Sequence, residues 1–311
     1  MSIVVAGEAL MDLAPREGLL LPLPGGSPYN VAVGLGRLGS QTHYLGGLST
    51  DAFGALMTQR LRANDVQLEL APRIDAPTTL AVVHLDDQGR ASYGFYVEGT
   101  SAAALTTGDL PALPDGATLH VSLGAIGLGH DPAGHTLGQL LAEARGNRVT
   151  SLDPNVRPVV FDQAGGVAAY AARMDEVVAG IDLVKVSDED LLTLHPDADD
   201  PLEVARRWAA GGPALVVVTR GPDGAVALRA QGPEVSVPGE AVEVVDTVGA
   251  GDAFTAGLLA WLDEHDRLTR PALDTLEDEA IAAALRFARR VAAITCTRAG
   301  ADPPRRDELQ G

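Results

Sequence analysis

Short apolar runs and amphipathic stretches alternate along most of this 311-residue chain. Residues 3–7 (IVVAG) are apolar, partly β-branched and ended by glycine, the pattern of a buried strand. Residues 27–38 repeat Val31, Leu35 and Leu38 at helical spacing behind Ser27 and Pro28, which suit a cap and a first turn. A strand is expected at 43–47, then a helix at 51–63 with Phe53, Leu56, Met57 and Leu61 on one face. Further strands are expected at 118–123, 148–153, 182–186 and 214–219, and helices at 162–179, 201–210, 252–262 and 278–295. This alternation predicts an α/β fold, a mostly parallel sheet with helices on both faces. In such folds ligands sit beyond the carboxyl ends of the strands, so the loops after strands are where chemistry belongs.

Two stretches depart from the alternation. TTLAVVHL (78–85) and ASYGFYV (91–97) flank DDQGR (86–90), which has hairpin turn chemistry. Together with the apolar piece 19–23 they predict a small antiparallel sheet projecting from the body, built from about 14–24 and 76–99. Residues 225–228 and 234–237 read as an antiparallel edge of the main sheet. No repeat or long linker divides the chain, so residues 1–311 are expected to form one domain with an inserted lid.

Composition narrows the function. Hydrophobic residues make up 46%, enough for a large core, and the net charge of −19 disfavours nucleic acid and anionic membranes as partners. With Cys296 alone, no intramolecular disulfide or cysteine-rich zinc site is possible, and the seven histidines lack paired ligand spacing. The start has no basic region before its apolar run, and no stretch is long enough to span a bilayer. A cytoplasmic enzyme is the expectation.

The strongest local signal is VVDTVGAGDAF (244–254), where Gly249, Ala250 and Gly251 precede a helix beginning near Asp252. Small residues at a helix N-terminus leave backbone N–H groups free to hold a phosphoryl group, and Asp252 beside them is placed to take a proton from an attacking hydroxyl. The plainer alternative is a tight turn with Asp252 as a helix cap. A second loop, Gly25-Gly26-Ser27-Pro28-Tyr29-Asn30, permits close backbone approach to a ligand. Asn30 offers a donor and an acceptor to a polyol, and Asp12, just after the first strand, offers two acceptor oxygens. Gly34-Leu35-Gly36-Arg37-Leu38-Gly39 matches the dinucleotide fingerprint, but it lies inside a helical pattern instead of following a strand. GxxxxGK[ST] is absent.

These residues resemble the ribokinase-like (PfkB) carbohydrate kinases, most closely their fructokinase-like branch, over essentially the whole chain. The resemblance rests on Gly7-Glu8 with Asp12, 25–30 leading to Leu38-Gly39, Gly47 with Asp51 and Gly54, Asp153-Pro154-Asn155-x-Arg157-Pro158, 185–190, Thr219-x-Gly221 with Gly224, 246–252, and Arg298-x-Gly300-Ala301. It implies a three-layer ribokinase-like α/β/α sandwich and ATP-dependent phosphorylation of a primary sugar hydroxyl. Asp252 is then the base, and the amides of Gly249, Ala250 and Gly251 form the anion hole. Asp12, Gly25, Gly26 and Asn30 hold the sugar. Lys185, Ser187, Thr219, Gly221, Gly224 and Gly251 line the nucleotide. Arg157 touches sugar or transferred phosphate, or else forms a salt bridge. Asp190 reaches magnesium through water, although Ser187 and Asp190 stand where the family has Asn and Glu; a helix capping box is the alternative reading. Potassium is expected between Asp246 with Val248 and carbonyls near Thr295, Arg298 and Gly300. Lid pairing in the family implies a homodimer.

Other sugars stay open: 2-keto-3-deoxygluconate, for which Arg157 and Arg90 are the nearby cations, ribose, or a nucleoside, although aromatics total only 4% and Tyr29, Tyr93, Phe95 and Tyr96 are the one cluster near the sugar side, so a neutral hexose is favoured. A sugar sensor without turnover, and an NAD-dependent oxidoreductase, are the readings from other classes.

Overall fold

The computed structural model describes residues 1–16, 18–85 and 91–309. From the N-terminus, β1 (Ile3–Ala6) is followed by β2 (Leu10–Arg16), β3 (Leu19–Gly25) and α1 (Ser27–Arg37). Next come β4 (Thr42–Leu45), β5 (Leu48–Ser49), α2 (Ala52–Arg62), β6 (Val66–Gln67), β7 (Arg73–Ile74), β8 (Thr79–Leu85) and β9 (Ala91–Tyr96). The middle of the chain forms β10 (Thr118–Ser122), α3 (Ala133–Ala144), β11 (Thr150–Asp153), α4 (Phe161–Ala164) and α5 (Val167–Val178). It continues with β12 (Leu183–Ser187), α6 (Asp188–Leu194), α7 (Pro201–Gly211), β13 (Leu215–Thr219), β14 (Ala225–Leu228) and β15 (Val235–Val237). The last helices are α8 (Ala250–Glu264), α9 (Arg270–Asp274) and α10 (Asp278–Cys296).

The main sheet has nine strands in the order β15-β14-β13-β12-β11-β10-β1-β4-β6. Pairing is parallel from β6 to β13 and antiparallel at β14 and β15, the edge expected from the sequence. Apolar side chains leave both faces, so the strands read as continuous hydrophobic runs. Val4, Ala6, Val121, Val184 and Val216 face one helical layer; Ile3, Val5, Leu183, Leu215 and Val217 face the other, where α8 packs on α1 and α10. From β1 the strand order grows one way to β4 and the other way from β10. The carboxyl ends of β1 and β10 are thus the switch point at which an open α/β sheet binds its ligand.

A second sheet, in the order β3-β2-β8-β9, forms the lid. Its first limb starts at Leu10, wider than the expected 14–24, and Asp12 lies within β2 rather than in a loop after the first strand. The 86–90 turn, with Arg90, lies outside the described residues. The lid is anchored at Asp51, whose Oδ1 caps α2 by accepting from Gly54 N–H at 2.8 Å and whose Oδ2 accepts from Thr78 N–H at 2.8 Å.

Elsewhere the helix expected at 162–179 breaks at Gly165 and Gly166, both at positive φ. Leu56 turns out to be 40% exposed, while Met57 and Leu61 carry the buried face of α2. Helix α3 is missing from the sequence reading because Gly134, Gly138 and His135 dilute its pattern. The dinucleotide-like string is packing. A Cβ on Gly34 would stand 2.7 Å from Ala256 Cβ, and one on Gly36 would stand 2.0 Å from Asn64 O, so these glycines let α1 approach its neighbours. No helix among the described residues is long and apolar enough to cross a membrane.

Candidate active site

One cleft of about 1890 Å³ runs from beneath the lid, past the N-terminus of α8, to the ends of β12–β14. A pocket for one small ligand typically occupies about 300–1,000 Å³, so this cleft has room for two. Asp12, Gly26 and Asn30 line one end; Thr219, Gly221 and Gly224 line the other; Gly249, Ala250, Gly251, Asp252, Arg157 and Lys185 lie between them.

Gly249, at φ 76°, is the N-cap of α8, and Asp252 falls in the helix's first turn, not at its cap. Asp252 is 7% exposed, and Asn30 Nδ2 donates to its Oδ2 at 2.8 Å. Burial pushes its carboxyl above the usual aspartate range, opposed by the Asn30 hydrogen bond. Asn30 Oδ1 is buried without a protein partner among the described residues. Unmet polar atoms facing a polar cleft are what a hydroxylated ligand satisfies.

Asp12 is held against Gly25, where a Cβ would come within 2.2 Å of Asp12 Oδ2; only glycine leaves the carboxylate its place. Gly25 itself does not line the cleft. Burial, and then repulsion from Asp252, raise Asp12 to about 6, with Arg157 pulling the other way. Arg157 forms no ion pair among the described residues. Its Nη1 donates to Val156 O at 2.9 Å, and the residue lines the cleft.

At the end away from the lid, Thr219 ends β13, and the tight turn Gly221–Asp223 leads to Gly224. Ser187 Oγ caps α6 by accepting from Asp190 N–H at 3.0 Å, so the capping geometry expected from the sequence is present. Burial, and then Asp153, raise the Asp190 carboxyl to about 6. Among the described residues no cluster of three or more His, Cys, Asp or Glu side chains is built to hold a metal unaided. A carboxylate such as Asp190 fits an ion carried mainly by nucleotide phosphates and water. Farther along, Asp246 Oδ1 accepts from Val248 N–H at 3.0 Å and Oδ2 from Gly300 N–H at 2.8 Å, tying the two loops of the expected potassium site together. Thr295 is fully buried in the last turn of α10, and the Arg298 side chain turns to Glu308, so only their backbones can serve there. Arg60 donates to Ala301 O at 2.8 Å, holding the second loop from the sugar side.

Two residues were quoted only as parts of motifs and were given no role. Glu8 accepts from Ala125 and Ile126 N–H at 3.0 and 2.8 Å, joining the ends of β1 and β10 beside the sugar end; burial raises it to about 7. Asp153, at the end of β11, pairs with Lys185 at 3.0 Å. Their shared signal is a carboxylate at or just beyond the carboxyl end of a parallel strand.

A parallel α/β sandwich with a β lid, a phosphoryl-holding helix terminus and a buried carboxylate beside it defines a kinase of small alcohols. The family model for pfkB family carbohydrate kinases matches residues 2–308, and the chain belongs to that family. It is similar to a fructokinase of Rhizobium leguminosarum bv. trifolii, 40% identical over 90% of this chain and 85% of the relative, and to one of Klebsiella pneumoniae, 36% identical over 98% and 97%. Among solved structures, fructokinase from Xylella fastidiosa with bound ATP superposes with a TM-score of 0.88 at 27% identity, over 99% of this chain and 96% of that one. Fructokinase from Vibrio cholerae O395 in a fructose, ADP and calcium ion bound form gives 0.83 at 29%, over 99% and 97%. The chain is a carbohydrate kinase, as its sequence motifs implied.

Proposed function

We propose that residues 1–311 form one kinase domain that transfers the γ-phosphoryl group of ATP to a primary hydroxyl of fructose in the cytoplasm. The observation that carries this reading is the buried Asp252 carboxylate, hydrogen-bonded to Asn30 and set in the first turn of α8 behind Gly249. Asp252 accepts the hydroxyl proton as the sugar oxygen attacks the γ-phosphorus. The bond from phosphorus to the bridging oxygen breaks, and ADP leaves with its electron pair. Backbone N–H groups at Gly249, Ala250 and Gly251 face the charge on the phosphoryl oxygens. Asp12, Gly26 and Asn30 orient the sugar, Arg157 steadies sugar or phosphate, and Thr219, Gly221 and Gly224 line the nucleotide. Magnesium, with Asp190 reached through water, neutralises phosphate charge when bound. Potassium, with Asp246 and the carbonyls of Val248, Thr295, Arg298 and Gly300, stiffens the anion loop when bound. A structure of the Vibrio cholerae fructokinase double mutant is in a fructose, ADP and potassium ion bound form. We further propose a homodimer formed through the lid, whose Leu19, Leu20 and Tyr96 are 67%, 51% and 61% exposed.

A second reading has support of its own. Tyr93 and Phe95 stack at 6.1 Å on the cleft side of the lid, a platform for a base, and aminoimidazole riboside kinase from Salmonella enterica superposes with a TM-score of 0.83. An ADP-release assay with magnesium and potassium across fructose, ribose, 2-keto-3-deoxygluconate and ribonucleosides decides between them. Preference for fructose supports the proposal, preference for a nucleoside supports the alternative, and binding without turnover makes the protein a sensor.

A further inference from the structure

Of the 23 lysines and arginines in the chain, Lys185 is the only lysine. Everywhere else the fold needs a cation it uses arginine, as in the pairs of Arg37 with Asp302 and Arg270 with Asp182. On an open face the two residues are nearly exchangeable; in a confined place the broad guanidinium fork is not a substitute for a compact ammonium. Lys185 is in such a place. It is 3% exposed on β12, and its Nζ lies 3.0 Å from Asp153 Oδ2, a carboxylate with no exposure at all. Asn155 N–H and Thr255 Oγ1 also donate to Asp153, at 3.2 and 3.4 Å, so the carboxylate is held from several sides. On its other flank Nζ is the atom that a Cβ on Gly251 would meet, at 3.1 Å.

An ammonium has three N–H donors. One goes to Asp153, and the other two have no protein partner among the described residues. Leaving donors of a buried cation unmet is costly unless a ligand oxygen completes them. The sugar hydroxyl meets Asp252 in this same turn, and the phosphoryl group in transit, held at the helix terminus, brings the oxygens that can accept from Nζ. Asp190 and Asp252 also act on this ammonium, which therefore balances carboxylates that would otherwise repel an incoming phosphate.

We propose that Lys185 is a catalytic residue that donates from Nζ to an equatorial oxygen of the transferring phosphoryl group, with Asp153 as the positioning residue that aims it. This rests on the kinase reading, and it assigns Lys185 to the transition state and not to ground-state nucleotide binding. Lys185→Met is expected to lower kcat by about 10²–10³-fold, the usual effect of removing one electrostatic donor. KM for ATP and fructose should stay within about threefold, and Lys185→Arg should fail to rescue turnover. A raised KM for ATP with kcat preserved overturns the proposal. If Lys185→Met does not fold, the Asp153→Asn/Lys185→Met pair, which removes both charges, replaces it; near-native kcat in that pair also overturns it. In wild-type enzyme labelled with [15N]lysine, the single side-chain signal is expected to move farther with fructose, magnesium, ADP and aluminium fluoride than with ADP alone. An equal response to both overturns the proposal. Wild-type turnover in the same assay separates the two readings. A silent wild type sinks the kinase itself, whereas an active wild type with an equally active Lys185→Met sinks only the lysine's role.

Discussion

Asn30 and Asp252 are 222 positions apart in the chain, yet Asn30 Nδ2 donates to Asp252 Oδ2 at 2.8 Å. The bond joins the first turn of α1 to the first turn of α8 and orients the carboxylate proposed as the base. Asp252→Asn keeps an acceptor for Asn30 but cannot take a proton. It should retain its melting temperature and nucleotide affinity while kcat falls by about 10²–10⁴-fold. ADP release and a melting curve on the same sample check this, and near-full turnover would refute the base assignment.

Burial, and then repulsion from Asp252, push the Asp12 carboxyl above the usual aspartate range. Both work in the ionised form, and burial raises both, Asp12 to about 6. Hence kcat/KM for fructose should fall as pH drops through about 6. A pH–rate profile that stays flat down to about 4, the ordinary carboxylate value, would contradict the burial of this pair.

Gly25→Ala tests the geometry beneath the sugar. The added methyl would come within 2.2 Å of Asp12 Oδ2 and push the carboxylate aside. KM for fructose is expected to rise at least about tenfold, the loss of one charged hydrogen bond, with KM for ATP unchanged. Equal rises in both would mean that the lid as a whole had moved.

Asp51 offers a stability test away from the chemistry. Asp51→Ala removes the cap of α2 and the acceptor for Thr78 N–H together. Denaturant unfolding should show a loss of about 2 kcal/mol, with kcat altered less than KM for the sugar because the lid loses its anchor.

Replacing potassium with tetramethylammonium should slow the wild-type enzyme several-fold. Asp246→Ala, which frees both Val248 N–H and Gly300 N–H, should be slow in either salt. Steady-state rates in matched ionic strength make the comparison. A wild type indifferent to potassium would remove that ion from the site.

Local pattern was enough for β1, α1 and α8 because burial, spacing and end residues all act within a dozen positions. It was also enough for the glycines at 249 and 251, since a loop that exposes its own amides needs them in sequence. It failed for α3, whose glycines hide its apolar face, and for the start of the lid. The first residues of β2 looked like a loop because one of its two partners, β8, lies beyond α1 and α2.

What the chain alone determined was the layered α/β class and the glycine loop that opens α8, with Asp252 as its candidate base, all short-range consequences of side-chain periodicity and helix-end chemistry. The tertiary structure alone decided that Asp12 sits in a lid strand against Gly25, that Arg157 is left without a carboxylate partner among the described residues, and that Lys185 pairs with Asp153 close to Gly251. Those meetings depend on β1 lying between β10 and β4, and on α8 packing across α1. Such strand order comes from burying both faces of the sheet at once, which no local stretch of residues encodes.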